Sequence, residues 1–340
     1  MKNHIHTMAT LVMPATAKPA KKGRQAGFTL VELLVALAVS TVIAIAAISA
    51  LVVSRRGFST ADAASQLRDN ARFSADLIQR LGVQAGYKDA IYAGSTRVAG
   101  VDASNPDPSI TGFNNAQVSI SGSLITSSVR PASDAGLGSD VLILRYQTSS
   151  TFPGSLVSDN TMINCMGNTG GPLNLPSNRD DQMVSVLYVD LSKGEPSLMC
   201  ATANPNAAAQ PIIRGVENFQ VLYGVDSSGG DSVPDSYLRA DQMVVAGNAV
   251  ATNANWRKVR SLRIGMVLRG DPGSAQDKTA QTFYPLGLAK ESSSGTPGFA
   301  MSTLDSASSP DIGTRFTPAA DGRLRQVLTF TVHLRNEQTL

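Results

Sequence analysis

The stretch from Phe28 to Val53 reads FTLVELLVALAVSTVIAIAAISALVV and is mostly apolar. As a helix, these 26 residues would be about 39 Å long, which is enough to cross a bilayer. The run is longer than the apolar region of a cleavable secretory signal, and helix-compatible sequence continues after it. We therefore interpret it as a retained transmembrane anchor.

Basic residues flank this anchor unevenly. Four lie just before it and two just after it, namely Lys18, Lys21, Lys22 and Arg24, then Arg55 and Arg56. Because cytoplasmic flanks carry the excess of Lys and Arg, the N-terminus is expected in the cytoplasm. The rest of the chain is then expected on the periplasmic or external side of the inner membrane, as a single-pass protein.

Glu32 lies four residues inside the apolar run. A carboxylate at that depth costs a few kcal/mol unless it reaches the interface, is protonated or finds a cation. Reaching the cytoplasmic interface is one explanation, and an anchor by itself does not need the residue. Its neighbours favour a different explanation.

The sequence KKGRQAGFTLVELLVA at residues 21–36 resembles the class III signal of type IV prepilins and type II secretion pseudopilins. The resemblance implies that prepilin peptidase cuts between Gly27 and Phe28 and methylates the new N-terminus at Phe28. It also implies that Glu32 pairs with the N-terminal amine of a neighbouring subunit. Such a pair would neutralise two charges within an apolar filament core.

The implied leader, residues 1–27, is longer than most leaders of this family, and Met8 and Met13 are alternative starts. His4 and His6 would be removed with it. The mature chain would keep only His333, which cannot by itself form a histidine-rich metal site and which we predict on a strand surface.

After the anchor, residues 54–86 predict an amphipathic continuation of the same helix. Apolar residues recur there every three or four positions, namely at Ala64, Leu67, Ala71, Ala75, Ile78 and Leu81. Gly82 and Gly86 indicate where the helix ends. The pattern predicts one helix from about Phe28 to Leu81 that packs on a sheet of its own chain.

Residues 87–340 predict a β-rich globular head, because short alternating apolar segments are separated by loops rich in Gly, Ser, Asn and Pro. Five strands are predicted, at Val141–Tyr146, Val184–Asp190, Phe219–Tyr223, Leu262–Leu268 and Leu328–Leu334. Residues 94–139 and 270–322 are polar and poorly patterned, which indicates loops. The expected fold is α+β and type IV pilin-like, with the long helix packed on a mainly antiparallel head.

Three segments of the head resemble the PilW group of minor pilins. They read GVENFQVLYGVD at 215–226, WRKVRSLRI at 256–264 and TFTVHLRN at 329–336. The resemblance implies a subunit that primes pilus polymerisation with other minor pilins near the tip and supports adhesion or motility. Its implied partners are prepilin peptidase, other minor pilins, the major pilin, the inner-membrane assembly platform and a tip adhesin.

Charge and motifs argue against other classes of protein. The net charge of +3 depends on five basic residues before position 28, and without them 24 basic residues face 26 acidic ones, so a nucleic-acid partner is not expected. The chain has no phosphate-binding loop, nucleophile elbow or zinc-protease motif, so no catalytic residue or enzymatic activity is expected. A minor pseudopilin of a type II secretion system and a signal-anchored periplasmic binding protein remain as alternatives.

The two cysteines are Cys165 and Cys200. They lack the four-ligand spacing of a structural zinc site. Two buried thiols would be expected if the head were cytoplasmic. The topology inferred above instead places them in an oxidising compartment and predicts a disulfide.

The segment DSSGGDSVPD at 226–235 is the one candidate for a metal site. Asp226, Asp231 and Asp235 could converge on Ca²⁺, which prefers clustered oxygen ligands. The alternating acidic positions of an EF-hand-like loop are missing, however, and such stretches are commonly hairpin turns. No other cofactor is expected.

Overall fold

The structure of the 340-residue chain is a computed structural model. It describes residues 27–89, 105, 107–121, 124–131, 133–153, 155, 157–170, 182–204, 207–228, 231–275, 277–287, 305–306, 309–310 and 315–336. The predicted leader lies outside the described residues except for Gly27. Contacts divide the chain into one unit that ends at Arg55 and a second that begins at Arg56.

The first long element is the helix α1, Leu30–Gln84. Its first part, up to Arg55, has exposed side chains throughout, and it is the one described helix long and apolar enough to cross a membrane. Its later part buries Leu67, Ala71 and Ile78 in the core of the second unit. The long helix that the sequence predicts is confirmed, with an end three residues later than expected.

Gly82 does not end the helix as predicted, and the reason is packing. A Cβ atom at this position would lie 2.6 Å from Cγ1 of Val332, so glycine lets a strand approach the helix closely. Gly86 instead terminates the helical conformation with a φ of 77°, which is typical of a glycine just after a helix. Its N–H donates to the carbonyl oxygen of Arg145 at 2.9 Å.

The buried stripe of the helix also differs slightly from the prediction. Ala63 and Ser74 are buried, whereas Ala64 and Ala75 lie half-buried at the margin. The Ser74 hydroxyl donates to the carbonyl oxygen of Asn70 at 2.5 Å, so its polarity is satisfied within the helix. A small hydroxyl can therefore lie in the helix–sheet interface.

Antiparallel strands form the remainder of the described head. In chain order these are β1 Ile110–Phe113, β2 Ala116–Ser121, β3 Leu124–Val129, β4 Val141–Tyr146, β5 Met183–Ser192, β6 Glu195–Ala201, β7 Gln210–Arg214, β8 Val216–Val225, β9 Ser236–Leu238, β10 Val259–Arg269, β11 Asp305–Ser306, β12 Ser309–Pro310 and β13 Arg325–His333. A 3₁₀ turn at Asp241–Met243 and a helix α2 at Ala249–Trp256 separate β9 from β10.

Two larger sheets and two strand pairs result. The five-stranded sheet has the order β1-β4-β5-β6-β7, and the four-stranded sheet has the order β13-β10-β8-β9. The strands β2 and β3 pair only with each other, as do β11 and β12. All these ladders are antiparallel, so the predicted α+β class with a mainly antiparallel head is confirmed.

One main core joins the helix to both larger sheets. Leu142 of β4, Phe219 of β8 and Ile264 of β10 lie in the same buried cluster as Leu67 and Ile78 of α1. A second cluster covers the opposite face of the five-stranded sheet. Because β4 is buried on both faces, its sequence is nearly continuously apolar.

All five predicted strands are present, and β4 has the predicted bounds. His333 is exposed at the end of β13, as predicted. The prediction of loops over 94–139 was wrong, because β1, β2 and β3 lie there. The strands β2 and β3 carry Ser and Thr on their exposed sides, which hides the apolar alternation of residues such as Val118 and Ile120.

Residues 270–322 agree better with the predicted loops. The described part contains the two-residue strands β11 and β12 and a single bridge between Phe283 and Phe316. The helix α2 was not predicted from the sequence. Its start is capped by Asn248, whose side chain accepts from the Ala251 N–H at 2.9 Å.

Candidate processing and assembly site

The start of α1 carries the residues predicted for processing and assembly. Gly27, Phe28 and Thr29 precede the first helical residue, and the Phe28 side chain is 86% exposed. A Cβ atom at Gly27 would meet nothing within 4 Å. The structure therefore places the predicted cleavage bond in an open, non-helical segment directly before the anchor.

Glu32 forms a reciprocal cap with Thr29. The Thr29 backbone N–H and hydroxyl both donate to Oε2 of Glu32, at 3.2 and 3.3 Å, and the Glu32 N–H donates back to the Thr29 hydroxyl oxygen at 3.3 Å. This is a capping box, and it satisfies donors that the first turn of a helix leaves open. The Thr-x-x-Glu spacing was visible in the sequence but was not used.

The capping box leaves part of the Glu32 carboxylate free to accept further hydrogen bonds. An ionised carboxylate offers about four acceptor positions, and Thr29 uses two of them on one oxygen. The side chain is exposed at the positive end of the helix dipole. The same carboxylate can therefore cap its own helix and accept from an ammonium group.

Cys165 and Cys200 form a disulfide in the structure, with their Cα atoms 5.7 Å apart. Both side chains are buried in the main core. The Cys165 N–H donates to the Ser185 hydroxyl at 3.1 Å, and the neighbouring Ile163 N–H donates to Oε1 of Gln84 at 2.9 Å. The bridge thus anchors a loop that also contacts the last residue of α1.

Six charged side chains form a closed ring of alternating sign, which the sequence analysis missed. Its members are Glu195, Arg269, Glu217, Arg325, Asp321 and Arg323, and we call this set the ionic ring. Glu195 begins β6 of the five-stranded sheet, whereas the other members lie on or next to β8, β10 and β13 of the four-stranded sheet. The ionic ring therefore joins the two sheets.

Glu217 is the most buried acid of the ionic ring. Its Oε2 lies 2.6 Å from Nε of Arg325, and its Oε1 lies 2.9 Å from Nη1 of Arg269. The Glu217 and Arg325 side chains are each 6% exposed. Charges buried this deeply are tolerated because each one meets opposite charges and hydrogen-bond partners.

The remaining contacts close the ionic ring through Glu195 and Asp321. Glu195 lies 2.7 Å from Arg269 and 3.0 Å from Arg323, and Asp321 lies 2.8 Å from Arg325 and 3.6 Å from Arg323. The hydrogen bond from Arg323 lowers the pKa of Glu195, and the bond from Arg325 lowers the pKa of Asp321. Both acids are therefore held in their charged form.

The three aspartates proposed for Ca²⁺ are used by their own loop. Asp235 accepts from the backbone N–H and hydroxyl of both Ser227 and Ser228, and Asp231 accepts from the Val233 N–H. Asp226 is buried, with its Oδ2 3.9 Å from Nε of Arg260. Among the described residues, no group of three or more acidic, His or Cys side chains could hold a metal. The three aspartates therefore do not converge as the sequence suggested.

Comparisons with known protein families give one match in the head and one at the start of the chain. Residues 186–336 match the family described as Type IV Pilus-assembly protein W, a range that includes the three head segments quoted above and begins within β5. Residues 22–48 match the prokaryotic N-terminal methylation motif. This second match spans the predicted cleavage site and Glu32.

No curated protein matches the chain. Among solved structures, a type IV-like pilin from Thermus thermophilus is similar at 12% sequence identity and a TM-score of 0.32, over 79% of this chain and 95% of that one. The two family matches, the long apolar helix and the antiparallel sheets agree with one another. The chain therefore carries the N-terminal methylation motif over residues 22–48 and a head segment similar to the Type IV Pilus-assembly protein W family over residues 186–336.

Proposed function

We propose that this chain is a minor pilin, which primes pilus polymerisation in a complex with other minor pilins and stays near the pilus tip. The match to Type IV Pilus-assembly protein W over 186–336 carries the proposal. The exposed apolar anchor supports it, because such a surface requires lipid or other apolar helices around it. In this role the protein is structural, and it would support adhesion or motility by presenting a tip adhesin.

The proposed life cycle begins in the inner membrane with a cytoplasmic N-terminus and a periplasmic head. Prepilin peptidase cuts between Gly27 and Phe28 and methylates Phe28. The assembly platform then moves the subunit from the membrane into the pilus, beside other minor pilins and the major pilin. The methylation motif over residues 22–48 supports the processing step.

Glu32 is proposed to accept from the N-terminal amine of a neighbouring subunit during this transfer. Its carboxylate keeps acceptor capacity beyond the bonds from Thr29, and it lies on an exposed, apolar helix. Neutralising a charge in apolar surroundings removes an energetic cost of a few kcal/mol. The same residue can thus be costly in the free subunit and favourable in the assembled one.

Glu32→Ala tests this role. The variant is expected to insert in the membrane at least as well as the wild type, since the change removes a charge from the apolar run. Incorporation into the complex should fall by at least about tenfold, because losing about 1.4 kcal/mol of pairing energy already gives that factor. Co-purification with the other minor pilins and pilus counts measure the effect.

Glu32→Gln separates pairing from capping. Glutamine also serves in a capping box but carries no charge. We expect Glu32→Gln to fail in assembly like Glu32→Ala, whereas Thr29→Ala should lose the cap and still assemble. Normal assembly of Glu32→Gln would reject the charge pair, and recovery with secretion pseudopilins instead of minor pilins would reject the pilus role.

A further inference from the structure

The β2–β3 hairpin is an uncharged surface feature with no role in the function described so far. From Ala116 to Val129 the sequence is AQVSISGSLITSSV, without a single Asp, Glu, Lys, Arg or Pro. The two strands pair in continuous register, from Ala116 opposite Val129 to Ser121 opposite Leu124. Neither strand belongs to the larger sheets.

One face of this hairpin is fixed to the head. Val118, Ile120 and Ile125 pack against the cluster on the outer face of the five-stranded sheet, together with buried Ile143 and Val186. A hairpin on its own is marginally stable, but this one rests on a rigid surface. It therefore presents a preformed strand rather than a flexible loop.

The two edges of the hairpin differ. The edge of β2 meets the segment that precedes β4, where the Ala116 N–H donates to the Ser139 carbonyl oxygen at 3.2 Å and the Gln117 side chain donates to Asp134. Within the described part of the chain, the outer edge of β3 receives no such backbone bond. Every β3 side chain except that of Ile125 is exposed.

The other edge strands carry features that discourage pairing. The strands β1 and β9 have only four and three residues. The strand β7 contains Pro211 and a register shift opposite β6, and β13 begins with Arg325 of the ionic ring. Short strands, proline, bulges and charges are the usual protections of a sheet edge. Six-residue β3 has none of these.

A groove lies beside the end of β3. It has a volume of about 280 Å³ and is lined by Ser127–Val129, by residues 112–116 at the start of the hairpin, and by Ala240, Asp241 and Val244. The Val129 side chain is 85% exposed and that of Val244 is 57% exposed. An apolar side chain from a strand next to β3 could enter this groove.

We propose that β3 is a strand-addition site, which pairs with an uncharged, extended segment of a neighbouring pilus subunit. The inference rests on the proposed function, because that function supplies the partner. Backbone hydrogen bonds along β3 would give affinity, and a side chain in the groove would give selectivity. The absence of charge over 116–129 favours an equally uncharged partner strand, since a charged one would lose solvation without a counter-charge.

Hydrogen exchange on the detergent-solubilised full chain, alone and in complex with the co-expressed minor pilins, tests the proposal. In the isolated chain, only the β3 amides that face β2 should be protected. In the complex, the remaining amides of Leu124–Val129 should exchange at least about tenfold more slowly, because they gain hydrogen bonds. A complex that forms without this slowing overturns the strand-addition site and leaves the proposed function intact.

Ser127→Lys is the matching variant, because a lysine at this exposed edge position must lose water when a strand covers it. It should reduce recovery of the complex at least about tenfold and keep the thermal midpoint of the free chain. Ser119→Lys, on exposed β2, is the control and should recover complex normally. Equal recovery of both variants overturns the proposal, as does concentration-dependent protection of β3 in the isolated chain, which would identify a second copy as the occupant. Failure to form any complex rejects the proposed function together with this inference.

Discussion

Cys165→Ser is expected to lower the free energy of unfolding of the head by roughly 4 kcal/mol, as chain-entropy estimates give for a loop of this length. The disulfide spans a sequence separation of 35 residues, and both cysteines are buried in the core. A loss of this size is a large part of the stability of an ordinary domain. Denaturant unfolding under oxidising conditions measures it, and proteolysis of the head should accelerate in parallel.

Reduction provides the control for this variant. Wild-type protein treated with a reductant should unfold at nearly the denaturant concentration of Cys165→Ser, whereas the variant should not respond to reductant. Processing at Gly27 should be unchanged, because the predicted cleavage lies on the cytoplasmic side of the membrane. Free thiols at both positions in protein isolated from the periplasm would reject the bridge.

Glu217→Ala is expected to destabilise the head by about 3–5 kcal/mol, which is typical when one partner of a buried ion pair is removed. The change would remove the closest acidic partner of Arg325, whose side chain is 6% exposed. It would also remove a 2.9 Å contact from Arg269. Denaturant unfolding at neutral pH measures the loss.

Asp321→Ala is the matched control within the ionic ring. Its side chain is 28% exposed, so water can partly replace the ion pairs that the carboxylate forms with Arg323 and Arg325. We expect a loss clearly smaller than that of Glu217→Ala. Equal losses in the two variants would contradict the view that burial sets the energetics of the ionic ring.

Lowering the pH should reduce the contribution of the ionic ring to the stability of the head. The pKa values of Glu195 and Asp321 are lowered in the folded protein, chiefly by hydrogen bonds from Arg323 and Arg325. Their contribution is therefore fully present above the unfolded pKa values of about 4 and is lost as the pH falls through the folded ones. The stability gap between wild type and Asp321→Ala should accordingly narrow in acid.

The sequence predicted the elements whose pattern is local. The helix α1 follows from an apolar run and a stripe with a spacing of three or four residues, and β4 and β13 follow from short apolar or alternating segments. The strands β2 and β3 were missed because their Ser-rich exposed faces resemble a loop. The capping box of Thr29 and Glu32 has a local sequence pattern, Thr-x-x-Glu, but it was not predicted.

The ionic ring could not be predicted in the same way. Glu195 and Arg323 are separated by 128 positions, and only the pairing of β6, β8, β10 and β13 brings the six side chains together. Asp226, Asp231 and Asp235 illustrate the opposite case. They are close in sequence, yet their carboxylates are used for turns and a buried contact instead of converging. Closeness in sequence therefore predicted neither the contacts of the ionic ring nor those of the three aspartates.

The anchor and the head contribute different things to the proposed role. Glu32 would make a subunit depend on its neighbours, because its charge lies on an apolar helix. The disulfide and the ionic ring would stabilise the head before and after assembly. An uncharged strand edge at β3 would then select which neighbour it meets.

Mass spectrometry of the N-terminus can decide whether the chain is processed as a prepilin, when the protein is isolated from cells that contain prepilin peptidase. We predict a chain that begins at Phe28 and carries an N-methyl group there. A bulky substitution at Gly27 should prevent the cut while the protein stays anchored. An intact wild-type chain, in which Phe28 is an internal residue, would show that the protein is not processed as a prepilin.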